Sequence, residues 1–350
     1  MARLPGGCGR PYGPRPAGHP ANRMLSDTFG QDRNLSDKFP AARPTAPSAS
    51  RMLSDTFGQD RNLSDKFPPD GPKAHNRLMG DDIGALLDAT VASGDDTALR
   101  RELMARSGLP GPRLRLGPVW EFARSVGALV ITPEPPTEAL ERLLDGWAAL
   151  SPQAAPGDRP AVVLPCAAVT AYGEVGALRP DWWGDETRKL SAAAVDSRWR
   201  VREVVAQAGQ RLLEADWPRA MDLLRAWVAD GEPLRVRAGA ATAAEPRLLT
   251  GDPSRGPEAA EIERNAVAAY QRLSRERRRG DGGRALRQAL GCTVGVTTAS
   301  TGDFGLLAEL AATGDPDLAW IVRHNLRAAR LRRWPEEIAE INRLLAAGTV

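Results

Sequence analysis

The most constraining feature of the sequence is a short pattern that returns at a spacing typical of helical repeats. Trp199-Arg-Val-Arg202 is followed 35 residues later by Leu234-Arg-Val-Arg237, and Trp320-Ile-Val-Arg323 is similar to both. Each Val-Arg pair lies in a segment with apolar and small residues at helical spacing, and the first two are separated by another predicted helix, Trp217–Ala229. One period is therefore a helix pair. Such a pair cannot bury its apolar face alone, so neighbouring pairs have to stack.

Composition also favours an all-α fold. The chain has 350 residues, 42% of them hydrophobic, but only 6 Phe and 3 Tyr, which disfavours a β-sandwich core. The longest uncharged run, Gln288–Gly302, is shorter than a membrane-spanning helix, and the start lacks the apolar run of a secretory signal. Cys8, Cys166 and Cys292 lie far apart, so neither a disulfide framework nor a zinc site is predicted. We therefore expect a cytoplasmic protein with no membrane partner.

The first 77 residues differ from the rest of the chain. They contain 11 Pro and 8 Gly with few aliphatic residues, a composition that predicts a disordered tail. Within this tail the 18 residues 23–40 return unchanged as 51–68, and each copy holds two Leu-Ser-Asp-x-Phe units. Two interpretations stay open. The duplication is a short linear motif that docks in a groove of a partner, or it is a recent duplication without a role.

Residues 78–150 form a predicted N-terminal region of two helix pairs, and residues 161–348 form the repeat array. The predicted helices of the first region are Asp81–Ser93, Asp95–Ser107, Leu116–Leu129 and Thr137–Leu150. The first two begin with paired aspartates, which can cap a helix N-terminus. Between the two regions, Ser151–Pro160 is predicted to be a long turn or hinge because it is rich in Pro, Ala and Gly.

The repeated pattern, Asp followed by Val-Arg inside helix pairs, resembles the HEAT repeats found in HEAT-like proteins of bacteria. The matching positions are Asp196, Val201 and Arg202, then Val236 and Arg237 with Gly231 in place of the Asp, and finally Asp315 or Asp317 with Val322 and Arg323. The Asp is expected to cap its helix and the Arg to reach acids or carbonyls of a neighbouring unit. The resemblance implies a curved α-solenoid of about seven antiparallel helix pairs, which usually serves as a binding surface without catalysis.

A specialised subset of HEAT-like proteins, the DNA alkylation repair glycosylases, provides a weaker resemblance, based on arginine and tryptophan content. Residues 264–333 hold 13 Arg against 6 acidic residues, and such a cluster can neutralise phosphates. The alternative is that these arginines are solvated cations near helix C-termini. The candidate phosphate contacts are Arg275, Arg277, Arg278 and Arg279, at the end of a long helix predicted from Pro257, together with Arg323, Arg327 and Arg330.

Two adjacent tryptophans complete the candidate binding residues. Trp182 and Trp183 lie between Asp181 and Asp185, where aromatic faces beside a carboxylate could stack a base or a cation. The alternative is that Trp182 and Trp183 pack between repeats.

No catalytic residue, metal site or cofactor is predicted, because His19, His75 and His324 are scattered and neither Cys166 nor Cys292 has a nearby base. The glycines at 280–283 and 290–305 are interpreted as turns and as a candidate for an atypical repeat. The predicted function is thus a non-catalytic scaffold that binds a protein partner on its curved face. The alternative is a DNA-binding or base-excision protein.

Overall fold

The computed structural model describes residues 82–348, and these residues are helical without any strand. Short 3-10 turns occur at Pro160–Val162, Pro253–Arg255 and Ala329–Leu331. In chain order the α-helices are α1 Ile83–Ser93, α2 Thr97–Arg106, α3 Leu116–Val130, α4 Thr137–Ala148, α5 Val163–Leu178, α6 Trp183–Ala193, α7 Trp199–Ala215, α8 Trp217–Asp230, α9 Pro233–Ala243, α10 Pro246–Gly251, α11 Gly256–Gln271, α12 Arg275–Arg279, α13 Asp281–Thr301, α14 Gly305–Ala311, α15 Pro316–Leu326 and α16 Pro335–Ala347. The all-α prediction is confirmed.

The four helices predicted before residue 150 are confirmed to within a few residues as α1 to α4. Asp82 caps α1, because its Oδ1 accepts a hydrogen bond from the Gly84 N–H at 3.0 Å. Residues 150–159 contain no helix and form the predicted turn. The predicted tail, 1–77, and both copies of its duplication lie outside the described residues.

One set of helices packs in series along the chain. We call α3, α5, α7, α9, α13 and α15 the A helices, because α3 packs on α5, α5 on α7, α7 on α9, α9 on α13, and α13 on α15. Helices α4, α6, α8, α11 and α14 connect or flank these and pack against them. Val201, Val236 and Val322, the valines of the repeated pattern, are 2%, 0% and 0% exposed. The pattern therefore marks core positions of three A helices.

Glycines let the A helices approach one another closely. A Cβ placed on Gly173 of α5 would lie 2.7 Å from the Cα of Ala208 on α7. A Cβ on Gly209 of α7 would lie 2.8 Å from the Thr242 side chain on α9. These distances are far below van der Waals contact, so a side chain at Gly173 would force the two helix backbones apart.

Glycine also explains the largest error of the sequence analysis. The segments 280–283 and 290–305, interpreted as turns, lie largely in α13, which at 21 residues is the longest helix described. Gly291 and Gly295 occur inside this helix because they face α15, where an added Cβ would lie 2.8 Å from Trp320 and from the Asn325 Oδ1, respectively. The sequence alone does not distinguish a glycine that lets a neighbouring helix approach from a glycine that ends a helix.

Two smaller predictions were also wrong. The helix that begins near Pro257 ends at Gln271, and the four arginines belong to the separate short helix α12, which is capped by Ser274. Asp196 does not cap α7. Its Oδ1 accepts from the Arg198 N–H at 2.7 Å, and the Arg198 side chain binds the same carboxylate, so Asp196 shapes the turn before the helix.

Candidate partner-binding face and the predicted site residues

Arg237 joins two successive A helices. From α9 its guanidinium donates to Glu203 Oε2 at 2.8 Å and to the Arg202 carbonyl at 3.3 Å, both on α7. The Arg237 side chain is only 4% exposed and that of Glu203 16% exposed. A hydrogen-bonded ion pair with so little water around it fixes the register of α9 on α7. Arg237 therefore has the geometry expected for a contact between neighbouring repeats.

The other two arginines of the repeated pattern lie differently. Arg202 donates to the carbonyls of Asp196 and Ser197 in the turn before its own helix, and burial lowers its pKa, with Arg237 adding to that effect. Arg323 is exposed at the end of α15. The arginine of the Val-Arg pattern thus has three different environments. Arg237 forms an interhelical contact, Arg202 binds a local turn, and Arg323 is a solvated cation.

At the third copy of the pattern, Asp315 has the expected role. It caps α15 by accepting from the backbone N–H groups of Asp317 and Leu318, at 2.8 Å and 3.3 Å. The same carboxylate accepts from Arg278 Nη1 at 2.6 Å, and the pKa of Asp315 is lowered because these hydrogen bonds outweigh the effect of burial. Arg278 thereby ties α12 to the start of α15.

The predicted arginine cluster separates into two groups in the structure. Arg278 is engaged with Asp315, whereas Arg275, Arg277 and Arg279 are exposed on α12. Arg323 and Arg327 lie at the other end of α15, an 11-residue helix and thus roughly 16 Å long at 1.5 Å per residue. The two groups of arginines therefore do not form one continuous phosphate clamp.

The two candidate tryptophans already have cationic partners. The Arg179 guanidinium lies 4.4 Å from the ring centroid of Trp182, and the Arg219 guanidinium lies 4.5 Å from that of Trp183. Trp183 is also 8% exposed. Because a stacked arginine covers one ring face, the arrangement matches the packing interpretation better than base stacking.

Stacking between arginine and tryptophan recurs along the described chain, and the sequence analysis missed it. Some partners are neighbours in sequence, as in Arg200 on Trp199 and Arg333 on Trp334. Others come from a distant helix, as in Arg287 on Trp320 at 4.7 Å. Adjacency of the two residue types was the only available signal, and it cannot find the distant pairs.

The thiols and the histidine offer little nucleophilic or basic chemistry. Burial raises the pKa of Cys166 to about 12 and that of Cys292 to about 11, so both thiols are protonated at neutral pH. His324 stacks on Trp320 at 4.8 Å, and burial lowers its pKa, with Arg327 adding to the effect. Among residues 82–348 no group of three or more His, Cys, Asp or Glu side chains could hold a metal ion.

A polar cluster of largely buried side chains around the exposed Asp145 joins α4, α5 and α6, and the sequence analysis did not single it out. Lys189 Nζ lies 3.0 Å from Asp145 and 3.4 Å from Glu186, and the Tyr172 hydroxyl donates to Asp145 at 2.7 Å. Burial raises the pKa of Glu186 to about 7, although Lys189 opposes it. Burial likewise raises the pKa of Tyr172, and the Asp145 hydrogen bond adds to this. The cluster connects three helices through charge and hydrogen bonds.

Half-buried polar side chains gather where α7, α9 and α13 pack together. Glu203, Gln207 and Gln210 share one side of α7 at helical spacing; Gln207 accepts from the Trp120 indole at 3.3 Å, and Gln210 donates to the Ala241 carbonyl at 3.3 Å. Burial raises the pKa of Cys292 on α13, while Arg330 opposes this effect and Glu203 adds to it. We call the surface defined by Glu203, Gln207, Gln210, Cys292 and Arg330 the α7–α9–α13 face.

One described helical stretch, Pro160–Leu178, is long and apolar enough to cross a membrane by length and composition. Its apolar window is 83% buried by the surrounding helices, and a buried core helix meets the same criteria. α3, α4, α6 and α7 all pack against this segment.

Comparison of the chain with family models, with curated proteins and with solved structures finds no match.

Proposed function

We propose that residues 161–348 form a HEAT-like α-solenoid that serves as a non-catalytic scaffold and binds a protein partner on its curved face. The observation that carries this proposal is the Arg237 contact, in which a residue at a 35-residue spacing from Arg202 bonds the equivalent helix before it. In a repeat array each unit contacts mainly its neighbours, and a bond between successive equivalent helices is a contact of this kind. The serial packing of the A helices supports the same conclusion.

The proposed binding surface is the α7–α9–α13 face. Its polar side chains are half-buried and spread over α7, α13 and the 3-10 turn Ala329–Leu331, and a polar surface distributed over several elements suits a protein better than a small ligand.

The test uses the full chain as bait and Gln207→Arg/Gln210→Arg as the variant, with Arg142→Glu on α4 as a matched control, since Arg142 is 75% exposed on another helix. A partner identified by capture is purified and its Kd measured. We expect the double variant to weaken binding at least tenfold, while the control retains the wild-type Kd. Equal Kd values for all three proteins would exclude this face. A turnover that survives purification and is lost on one polar substitution would overturn the non-catalytic proposal.

DNA binding remains a second candidate because Arg275, Arg277 and Arg279 are exposed while Arg278 holds their helix in place. Under this candidate, Arg275→Ala/Arg277→Ala/Arg279→Ala would lower the slope of log K against log salt by about one unit per lost phosphate contact. Arg323→Ala/Arg327→Ala serves as the comparison at the other end of α15. Absence of salt-dependent binding in the wild type, or identical slopes in all proteins, would exclude DNA.

A further inference from the structure

A shallow groove that shares no lining residue with the α7–α9–α13 face lies where the end of α2 meets the segment before α5. Its volume is about 660 Å³, within the range of sites that hold a few side chains. The floor is apolar and is formed by Met104, Ala105, Leu109 and Pro160, among others. Leu109 is 8% exposed and Met104 and Pro160 are half-buried, so the floor is a small, partly covered apolar surface that can receive one or two side chains of a docked peptide.

The charge of the groove has one sign. Arg101 and Arg159 line it together with the apolar residues, and no carboxylate does. Both arginines are exposed, and neither forms an ion pair with another described residue. The chain has almost as many acidic as basic residues, 44 against 47, so a cationic groove without a counter-charge is a local feature. Its chemistry fits a peptide that carries large apolar side chains and an acid close together.

The same chain contains such a peptide. Residues 51–68 hold two Leu-Ser-Asp-x-Phe units, Leu53–Phe57 and Leu63–Phe67, in which a leucine and a phenylalanine flank an aspartate. Each unit supplies two apolar side chains for the floor and one carboxylate for the arginines. The repeat function proposed above leaves this motif unused.

The chain that connects residues 51–68 to α1 is long enough for this segment to reach the groove. The chain from Pro68 to Asp82 contains 14 residue steps and spans up to roughly 45 Å when extended. Asp82 caps α1, and α1 packs on α2, whose end forms the groove. A tethered ligand has an effective concentration near the millimolar range, so a motif of low affinity is sufficient to occupy the groove.

We propose that the groove beside α2 binds residues 51–68 of its own chain, with leucine and phenylalanine side chains on the apolar floor and Asp55 or Asp65 facing Arg101 and Arg159. The bound segment covers an apolar surface that would otherwise be open to other acidic-apolar peptides. This inference does not depend on the scaffold function, because it concerns a different surface.

The test is photo-cross-linking in the full chain. A benzoylphenylalanine replaces Phe57, and Phe29 and Phe39 of the identical first copy are changed to serine, so that only residues 51–68 present the motif. We expect the probe to cross-link within one chain to peptides that contain residues 101–109 or 154–161. The yield should be at least fivefold above that of the same probe at Ala46. Cross-links spread evenly over the chain, or confined to a dimer band, would overturn the proposal.

A charge exchange sharpens the test. Arg101→Glu/Arg159→Glu should lower the specific cross-link at least fivefold, and adding Asp55→Arg/Asp65→Arg should restore it. Arg142→Glu, on α4, is the matched control and should leave the yield unchanged. A far-UV circular dichroism spectrum and melting temperature equal to those of the wild type show that the groove variant is folded. Undiminished cross-linking in the folded Arg101→Glu/Arg159→Glu variant would also overturn the proposal.

Discussion

Two junctions between A helices carry the same sequence pattern but differ in their buried polar contact. At the α7–α9 junction Arg237 forms a buried ion pair with Glu203. At the α13–α15 junction Arg323 is exposed, and the ion pair between Arg287 and Asp317 is partly exposed. The buried contact there is made by Asn325, which is 1% exposed. Asn325 accepts from the Gly295 N–H at 2.7 Å and donates to the Leu290 carbonyl at 2.8 Å. Helices at two junctions can therefore pack in a similar way while the buried residue that fixes their register differs.

The buried contacts of Arg237 and Asn325 differ in how much their removal should lower the free energy of unfolding. Removal of Arg237 leaves Glu203 as a poorly hydrated, uncompensated charge, whereas removal of Asn325 takes away two hydrogen bonds to neutral backbone groups of α13. Uncompensated charge is the more costly of the two. Substitution of Arg237 is therefore expected to lower stability more than substitution of Asn325.

The largest effect is expected for Arg237→Ala. Loss of the buried ion pair should lower the free energy of unfolding by about 3 to 5 kcal/mol, measured by urea denaturation. Adding Glu203→Ala should recover part of this loss, because the second substitution removes the unpaired charge. Strictly additive losses in the double variant would show that the pair does not act as a unit.

Asn325→Leu should lower the free energy of unfolding by about 1 to 3 kcal/mol, because it removes two buried hydrogen bonds, to the Gly295 N–H and to the Leu290 carbonyl. The exposed Asn342 on α16 provides the matched control, Asn342→Leu, which should change stability by less than about 0.5 kcal/mol. Equal effects of the two substitutions would mean that Asn325 does not hold the α13–α15 junction.

The α13 region should also respond to pH through Glu263. This residue is fully buried on α11, its Oε2 accepts from the Thr293 hydroxyl at 2.7 Å, and burial raises its pKa from 4.5 to about 8. The folded state therefore holds a proton that the unfolded chain has already released above pH 4.5. The stability that this proton contributes is fully present below the ordinary pKa and is lost as pH rises through the folded value.

We expect the wild type to lose roughly 2 kcal/mol of stability between pH 6 and pH 8 relative to Glu263→Gln, which stays neutral. Urea denaturation at both pH values measures this difference. Glu336→Gln, at an exposed site on α16, is the control and should follow the wild type. Parallel pH profiles for the wild type and Glu263→Gln would contradict the assigned role of the proton.

The smallest effect is expected for Arg323→Ala, less than about 0.5 kcal/mol, because this arginine is exposed. Its thermal melting curve should overlay that of the wild type. A loss comparable to that of Arg237→Ala would mean that the two junctions are alike after all.

Much of the helical architecture could be predicted from the sequence. The periodic apolar residues predicted α1 to α4, the turn before α5 and the buried positions of Val201, Val236 and Val322. Local signals also predicted the Asp315 cap, because a cap involves atoms only two or three residues apart. The solenoid arrangement and the binding residues stay predictions.

The candidate site was less predictable. Arg278 and Arg323 have the same side chain in similarly basic surroundings, but only the fold places Asp315 beside one of them. Trp182 and Trp183 gave no signal that Arg179 and Arg219 would cover them. In each case the partner comes from another element or turn, and side-chain identity alone does not specify it.

The sequence by itself determined that residues 82–348 would be helical, because helix periodicity, capping and turn residues act over a few neighbouring positions. The tertiary structure decided which arginines form ion pairs, which glycines admit a neighbouring helix and where Glu263 holds its proton. These outcomes depend on groups 30 or more residues apart, as in the bonds of Arg237 and Asn325. Their energies arise from burial and from the loss of water around charge, which exist only after the helices have packed.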